Sequence, residues 1–323
     1  MFKKDDLIDL NKSVLFLGGG RRYELALHFI VNGWRIYATE LEPRFSPLMK
    51  LPRNSIVMYQ GIEFEFKNSI KFNSTIRFLV DNNNIDLVVP LMDSASWLYS
   101  LEFFNDEYML SKFPIKTFTV AEMSYDKLVF EQAMKENFDY IYPSVESGEK
   151  VIKKPINGHS SLGIKKLTYS EYETVKKNGY VFQKYVDGEE YSVDAYFDCI
   201  SKKFIDCVVR TRDRIGYGEV IISKSVHNPQ LIYLTKIVGE TFGVTGPCNF
   251  QFIVKDNKPY LIEINSRFGG GSTFSIQCGL DFITYLENNF KKNIENKPVK
   301  NLEAHEGFKL VRSSRDHVFR LTA

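Results

Sequence analysis

Residues 245–273, TGPCNFQFIVKDNKPYLIEINSRFGGGST, read as two strands joined by a tight turn and running into a glycine-rich loop. Phe250, Phe252 and Val254 alternate with Asn249 and Gln251, and Tyr260, Ile262 and Ile264 alternate with Glu263 and Asn265. A period of two puts each set on one face of its strand. Asp256-Asn257 between them is turn chemistry. If the apolar faces coincide, Gln251, Glu263 and Asn265 share the other face. One carboxylate and two amide oxygens suit a hard cation, with Mg²⁺ (or Mn²⁺) completing its shell from water and phosphate. Arg267, just beyond, would neutralise charge developing beside such a metal. An ordinary amphipathic hairpin with a solvated polar face fits the same alternation.

The chain of 323 residues has room for two or three packed units. Its 42 Lys+Arg balance 40 Asp+Glu, which argues against a general nucleic-acid or membrane surface. No apolar stretch is long enough to span a bilayer, and the start MFKKDDLIDLNKS has no apolar signal core. Cys199, Cys207, Cys248 and Cys278 show no C-x-x-C spacing, so free thiols in a cytoplasmic protein are expected rather than zinc.

The amino-terminal third reads as a β-loop-α-β unit: the apolar run SVLFL (13–17), Gly18-Gly19-Gly20, a helical pattern, and the strand WRIYATE ending at Glu40. A dinucleotide-binding reading would put Glu40 on a ribose. The third glycine position of G-x-G-x-x-G falls on Tyr23, which favours a degenerate Rossmann-like domain without NAD. A later strand, IDLVVP (85–90), delivers Asp93 to its carboxyl end, where open α/β sheets bind ligands. Asp93 is therefore a substrate candidate; capping the following helix is its alternative role. The stretch VAEMSYDKLVFEQAMKEN (120–137) reads as one helix with Ser124 as a cap.

Two further stretches carry chemistry. In VIKKPINGHSSLGIKKL (151–167), a strand delivers Lys154, and Gly158, Ser160, Ser161 and Gly163 form a small-residue loop. Free backbone N–H groups and hydroxyls wrap polyphosphate only where no bulky side chain intervenes, and a lysine adds a mobile charge. A plain hairpin with a flexible tip is the alternative. Arg210 and Arg212 share a face of the strand FIDCVVRTRDRIGYGEV (204–220) and are substrate-carboxylate or phosphate candidates, or else a solvated edge-strand face.

NFQF followed by YLIEINSRFGGG, with K-P-x-x-G-x-S-S-x-G upstream, resembles the ATP-grasp ligases, and most of all their carbamoyl-phosphate-synthase-like branch. The resemblance spans residues 127–323 and reaches the amino-terminal third only as a pattern. It implies an α/β (α+β) fold: a Rossmann-like domain (1–115), a small lobe with a phosphate flap (116–185) and a large lobe with the metal hairpin (186–323). It implies that Lys127 and Lys154 reach ATP phosphates and that Lys184 and Val186 offer main-chain carbonyl and N–H to adenine. Gln183 would stand at the edge of that pocket and Glu190 on the ribose, where a carboxylate can accept from both hydroxyls. Gln251, Glu263 and Asn265 would hold the metal, with Arg267 and Lys154 catalytic. The implied activity joins a carboxylate to an amine or other nucleophile through an acyl phosphate. The implied partners are small molecules, with a homodimer admitted. The rivals are a nucleotide-binding regulatory protein without turnover, an NAD-dependent dehydrogenase, and carbamoyl-phosphate-synthase-like phosphorylation of a small carboxylate.

Overall fold

A computed structural model describes residues 10–20, 22–158, 162–216, 219–290 and 305–312. The described chain divides into two compact units, one of residues 10–114 with 283–290, the other of 115–282 with 305–312. Among the described residues no helix is long and apolar enough to cross a membrane.

The first unit runs β1 (Lys12–Leu17), α1 (Tyr23–Val31), β2 (Trp34–Glu40), β3 (Ile56–Gln60), α2 (Ser69–Asn82), β4 (Leu87–Pro90), α3 (Asp93–Glu102) and α4 (Glu107–Ser111). Its strands form a parallel sheet in the order β3-β2-β1-β4. Parallel sheets are covered on both faces, which is why Val14, Leu15, Phe16 and Leu17 form an unbroken apolar run and are fully buried. The glycine turn after β1 does not present a phosphate cradle. Gly18 N–H donates to Thr39 Oγ1 (3.2 Å), Gly19 N–H to the Thr39 carbonyl (3.0 Å) and Gly20 N–H to Glu40 Oε2 (2.5 Å). These three donors are thus turned onto β2. Glu40, expected on a ribose in the dinucleotide reading, instead brings a carboxylate to the place a pyrophosphate would need. Residues 283–290 add a helical stretch to this unit, where Glu287 accepts from Lys12 and from Trp34 Nε1 (3.1 Å).

The second unit opens with α5 (Phe118–Tyr125) and α6 (Lys127–Phe138). The expected single helix is broken at Asp126, whose extended backbone ends α5 and whose carboxylate accepts from Leu128 N–H (2.8 Å) and Val129 N–H (3.4 Å). Asp126 is therefore the cap, not Ser124. The Ser124 hydroxyl donates to Val120 O and accepts the Ser266 N–H, both at 2.9 Å. A small antiparallel sheet in the order β6-β5-β7 follows, from β5 (Val151–Pro155), β6 (Lys165–Leu167) and β7 (Tyr180–Lys184), with α7 (Tyr169–Thr174) between β6 and β7.

The large antiparallel sheet has the order β10-β11-β9-β8-β12-β13, with β14 also on β11. Its strands are β8 (Glu189–Phe197), β9 (Phe204–Thr211), β10 (Arg214–Gly216), β11 (Glu219–Val226), β12 (Gly246–Lys255), β13 (Lys258–Asn265) and β14 (Lys309–Val311), with α8 (Pro229–Phe242), α9 (Ser272–Gln277) and α10 (Phe282–Phe290) interspersed. Val193, Phe197, Val209, Phe250 and Ile264 turn one face of this sheet to α6 and α8, which contribute Phe130, Met134, Leu231 and Val238. Of α10, Phe282 packs on Tyr196 and Phe268, while the rest belongs to the first unit.

Gly239 of α8 lies directly on this core: a Cβ there would sit 2.1 Å from Phe197 Cζ. Alanine is the better helix former by roughly 0.8–1.0 kcal/mol, yet overpacking costs about 1–3 kcal/mol. Gly239→Ala should therefore lower the midpoint of denaturant unfolding. An unchanged or raised midpoint would mean that α8 can withdraw from Phe197 at no cost.

Asp256 (φ 50°) and Asn257 (φ 61°) both take left-handed backbone, the requirement of a two-residue type I′ hairpin turn. The alternation expected along β13 is interrupted, because Gln251 pairs with Glu263 but Phe252 pairs with Leu261, leaving Ile262 in a bulge. Leu261 is thus the fully buried residue, and Tyr260 and Ile262 are only half-buried. The irregularity lies on the turn side of Glu263 and Asn265, so these two keep the face expected of them.

Candidate active site

The face of the large sheet opposite its core is polar in successive cross-strand rows. Glu263 stands across from Gln251, Gln251 from Ser192, and Ser192 from Arg210. One step along, Asn265 stands across from Asn249 and Asn249 from Asp194. Gln251 and Glu263 are half-buried, while Asn265 is buried. Asn265 Oδ1 accepts from Arg267 Nη2 (2.9 Å), and Arg267 Nη1 donates to the Phe268 carbonyl (3.2 Å). The proposed metal residues and the proposed catalytic arginine are therefore adjoining.

Lys154 faces the same charges. Burial pulls its pKa down to about 8; Glu263 and Glu190 push it up and Lys127 pushes it down. Lys127 opens α6 and donates to the Gly158 carbonyl (2.8 Å), which ties the helix start to the flap. Gly163 adopts φ +75°, and a Cβ there would meet Pro155 Cγ at 2.9 Å, so that turn of the flap requires glycine. Ser160 and Ser161 lie outside the described residues.

Gln183 is buried and donates to the Tyr142 hydroxyl (3.2 Å). The Lys184 N–H is committed to the Pro143 carbonyl and the Tyr185 N–H to the Lys150 carbonyl, both at 2.8 Å. Among the described residues no main-chain carbonyl takes the Val186 N–H. This segment can thus offer a base the Lys184 carbonyl and the Val186 N–H, the division the resemblance implies. Glu190 Oε2 accepts from Arg212 Nε (3.1 Å), and Arg212 Nη1 reaches Ser192 Oγ (3.5 Å). Burial and the neighbouring Arg210 lower the pKa of Arg212, while Glu190 and Glu263 oppose them.

The two arginines differ. β9 ends at Thr211, so Arg212 lies just beyond the strand and the two do not share a strand face as expected; for Arg210, β9 lies between β8 and β11 and the solvated edge-strand alternative does not apply. Arg210 is 2 % exposed, and its Nε donates to Asp194 Oδ2 (2.8 Å). Asp194 also accepts from Asn249 Nδ2 (2.7 Å), Ser272 Oγ (3.2 Å) and Ser275 Oγ (2.6 Å). Burial raises the Asp194 pKa, but Arg210 and the hydrogen bonds from Ser275 and Asn249 outweigh it and hold the group below the usual carboxylate value. Sequence reasoning missed Asp194, although its period-two spacing from Glu190 and Ser192 marks it as sharing their face. Asp93 is built into the other unit, half-buried at the carboxyl end of β4. It opens the first turn of α3, where a carboxylate suits the helix dipole, but the N-cap position is Met92.

Residues 176–313 match a family described as "ATP-grasp in the biosynthetic pathway with Ter operon". No curated protein matches the sequence. Among solved structures, the L-amino acid ligase of Bacillus licheniformis is 16 % identical with a TM-score of 0.64, covering 87 % of this chain and 74 % of its own. The N5-carboxyaminoimidazole ribonucleotide synthetase of Thermotoga maritima is 16 % identical with a TM-score of 0.61, over 90 % of this chain and 77 % of its own. The biotin carboxylase domain dimer of the Hydrogenobacter thermophilus 2-oxoglutarate carboxylase, bound to MgADP, ADP and bicarbonate, is 13 % identical with a TM-score of 0.63, over 91 % of this chain and 72 % of its own. The family match falls on the part of the chain that includes the antiparallel sheet with the polar face, and residues 176–313 are thus similar to the ATP-grasp family; the structural likeness extends over most of the chain and shows that it shares the fold of these enzymes.

Proposed function

We propose that this chain is an ATP-dependent ligase that joins a carboxylate to an amine or other nucleophile through an acyl phosphate, releasing ADP and phosphate. The observation that carries the reading is one polar face holding Gln251, Glu263, Asn265 and Arg267, with Lys154 in electrostatic reach of Glu263 and Lys127. In this reading the Lys184 carbonyl and the Val186 N–H hold adenine, and Glu190 accepts from the ribose. Lys127, Lys154 and the Gly158–Gly163 loop grip the phosphates. Arg267 stays against the transferred group, where fixed positive charge lowers the barrier as charge spreads over its oxygens.

The donor set fits magnesium. It is all oxygen, with one carboxylate and two amides, which suits a hard cation. Gln251, Glu263 and Asn265 would hold the ion, which when bound supplies charge neutralisation at the phosphates. The MgADP and bicarbonate bound by the Hydrogenobacter domain, and the amino-acid ligase activity named for the Bacillus protein, support the nucleotide and the carboxylate class. A purely regulatory nucleotide site has no use for Arg267 beside Asn265, which favours turnover.

The test is a phosphate-release screen over amino acids and small carboxylates with Mg-ATP. Phosphorus NMR should show ADP and phosphate, and ¹⁸O in the substrate carboxyl group should appear in phosphate. Pyrophosphate, or unlabelled phosphate, would point to an adenylating enzyme instead. In the same assay Arg267→Ala should lower kcat more than it raises KM for ATP, because the transferring charge, not the ground state, needs it. An effect confined to KM would move Arg267 out of the catalytic role.

A further inference from the structure

The loop that follows β13 is pressed onto a buried charge pair. At Gly269 a Cβ would stand 2.9 Å from Asp194 Oδ1, and at Gly271 one would stand 2.4 Å from Arg210 Cζ. The glycines are thus there to let the backbone lie on the Asp194–Arg210 pair. Asp194 then binds outward in three directions. It holds Arg210 on β9, Asn249 on β12, and Ser272 and Ser275 at the start of α9. Asn249 is the cross-strand neighbour of Asn265, and residues 266–271 connect Asn265 to Ser272. Asn265 and Arg267 are therefore bracketed on both sides by groups fastened to one carboxylate. Two buried donors on this face, Asn265 Nδ2 and Arg210 Nη1, have no hydrogen-bond partner among the described residues. Buried donors left unpaired cost stability, so their retention beside the metal residues fits a face that is completed when an oxygen-rich ligand arrives.

We propose that Asp194 is the positioning residue of this site: it fastens Asn249 and the Gly269–Gly271 loop so that Asn265 and Arg267 are presented to the metal and the phosphates. It touches neither ligand itself and acts through the two residues it brackets. The proposal rests on the ligase reading. A buried charged pair is a poor source of net stability, whereas a carboxylate with four partners on three elements is a strong source of fixed geometry.

The probes are ADP and manganous ion with the full-length protein. ADP binding without metal is followed by calorimetry in EDTA, and Mn²⁺ binding to the protein–ADP complex by electron paramagnetic resonance. Asp194→Asn and Gly269→Ala should each raise the Mn²⁺ dissociation constant about tenfold or more, the usual effect of removing a residue that orients a ligand, while ADP alone binds within about twofold of wild type. Gly269→Ala moves the loop against Asp194 without removing a charge, so the two variants approach the same geometry from opposite sides. If Asp194→Asn does not fold, Gly269→Ala is read together with a double variant, Asp194→Leu with Arg210→Met, in which neither charge remains. A merely structural role would lower the unfolding temperature and leave Mn²⁺ affinity in the folded state unchanged; that result in the folded variants overturns the proposal. Wild-type protein that binds no ADP would instead remove the ligase reading beneath it.

Discussion

Glu263→Gln is expected to reduce turnover by about 10²–10³-fold, the range seen when one preorganised electrostatic contact to a transition state is lost. The change is nearly isosteric, so β13 should keep its register across from Gln251, and what is lost is charge. Glu263 is the one carboxylate of the proposed donor set; with glutamine there, a divalent cation meets only neutral oxygens. There is a second effect at a distance. Glu263 is the largest influence holding the Lys154 pKa up against burial, so its removal leaves Lys154 less charged near neutral pH. Part of the loss should therefore return with excess Mg²⁺, and a further part at lower pH, where Lys154 regains its proton. The measurement is phosphate release over a grid of Mg²⁺ concentration and pH. Wild-type turnover in this variant at ordinary Mg²⁺ would sink the assignment of the hairpin on which the proposed mechanism stands.

Lys154→Met should weaken ATP binding by roughly 1.5–3 kcal/mol, the value of one charge-assisted contact, with the buried volume largely kept. Lys127→Ala should act in the same direction. The wild-type site also makes a prediction about protons. With a folded pKa of about 8 against an ordinary 10.5, free Lys154 is half charged near pH 8. Polyphosphate favours the charged form, so nucleotide binding at pH 8 should take up about half a proton, and only about a tenth of one at pH 7. Calorimetry in buffers of different ionisation enthalpy reads this directly, and the dependence should vanish in Lys154→Met. Linkage gives the sign for stability as well. Between about pH 8 and 10.5 the unfolded chain holds a proton that folded Lys154 has released, so this group's contribution rises with pH across that window. A buffer-independent binding enthalpy at pH 8 would mean that Lys154 does not meet the phosphates.

Much of the second unit was readable in the residues. The alternation of Asn249, Gln251, Glu263 and Asn265 with apolar neighbours, and Asp256-Asn257 between the strands, suffice for a hairpin with one polar face, because period two and left-handed turn preferences are local properties. The helix α8, with Asn228 and Gly243 at its ends, is local in the same sense. The errors were local conflicts settled by distant contacts. One helical pattern across residues 120–137 hid a break at Asp126, because the Ser124 hydroxyl is engaged with Ser266, 142 residues away. The strict alternation drawn along β13 failed at Ile262, where a bulge brings Leu261 into the core.

Arg210 and Arg212 show where local reasoning stops. They are two residues apart and chemically identical, and spacing treats them alike, yet Arg210 lies in β9 and Arg212 just past its end at Thr211. Only the pairing of β9 between β8 and β11 separates them, burying Arg210 on Asp194 and leaving Arg212 to Glu190. The sequence by itself determined the hairpin, the polar face and the residue types able to hold a hard cation, since these follow from backbone period and side-chain chemistry. The tertiary structure decided which charges neutralise one another, which glycines exist for close packing rather than for phosphate, and that the Gly18–Gly20 turn spends its donors on β2. The reason is physical: burial and Coulomb partners are supplied by segments tens to more than a hundred residues apart, and no local pattern encodes which of them meet.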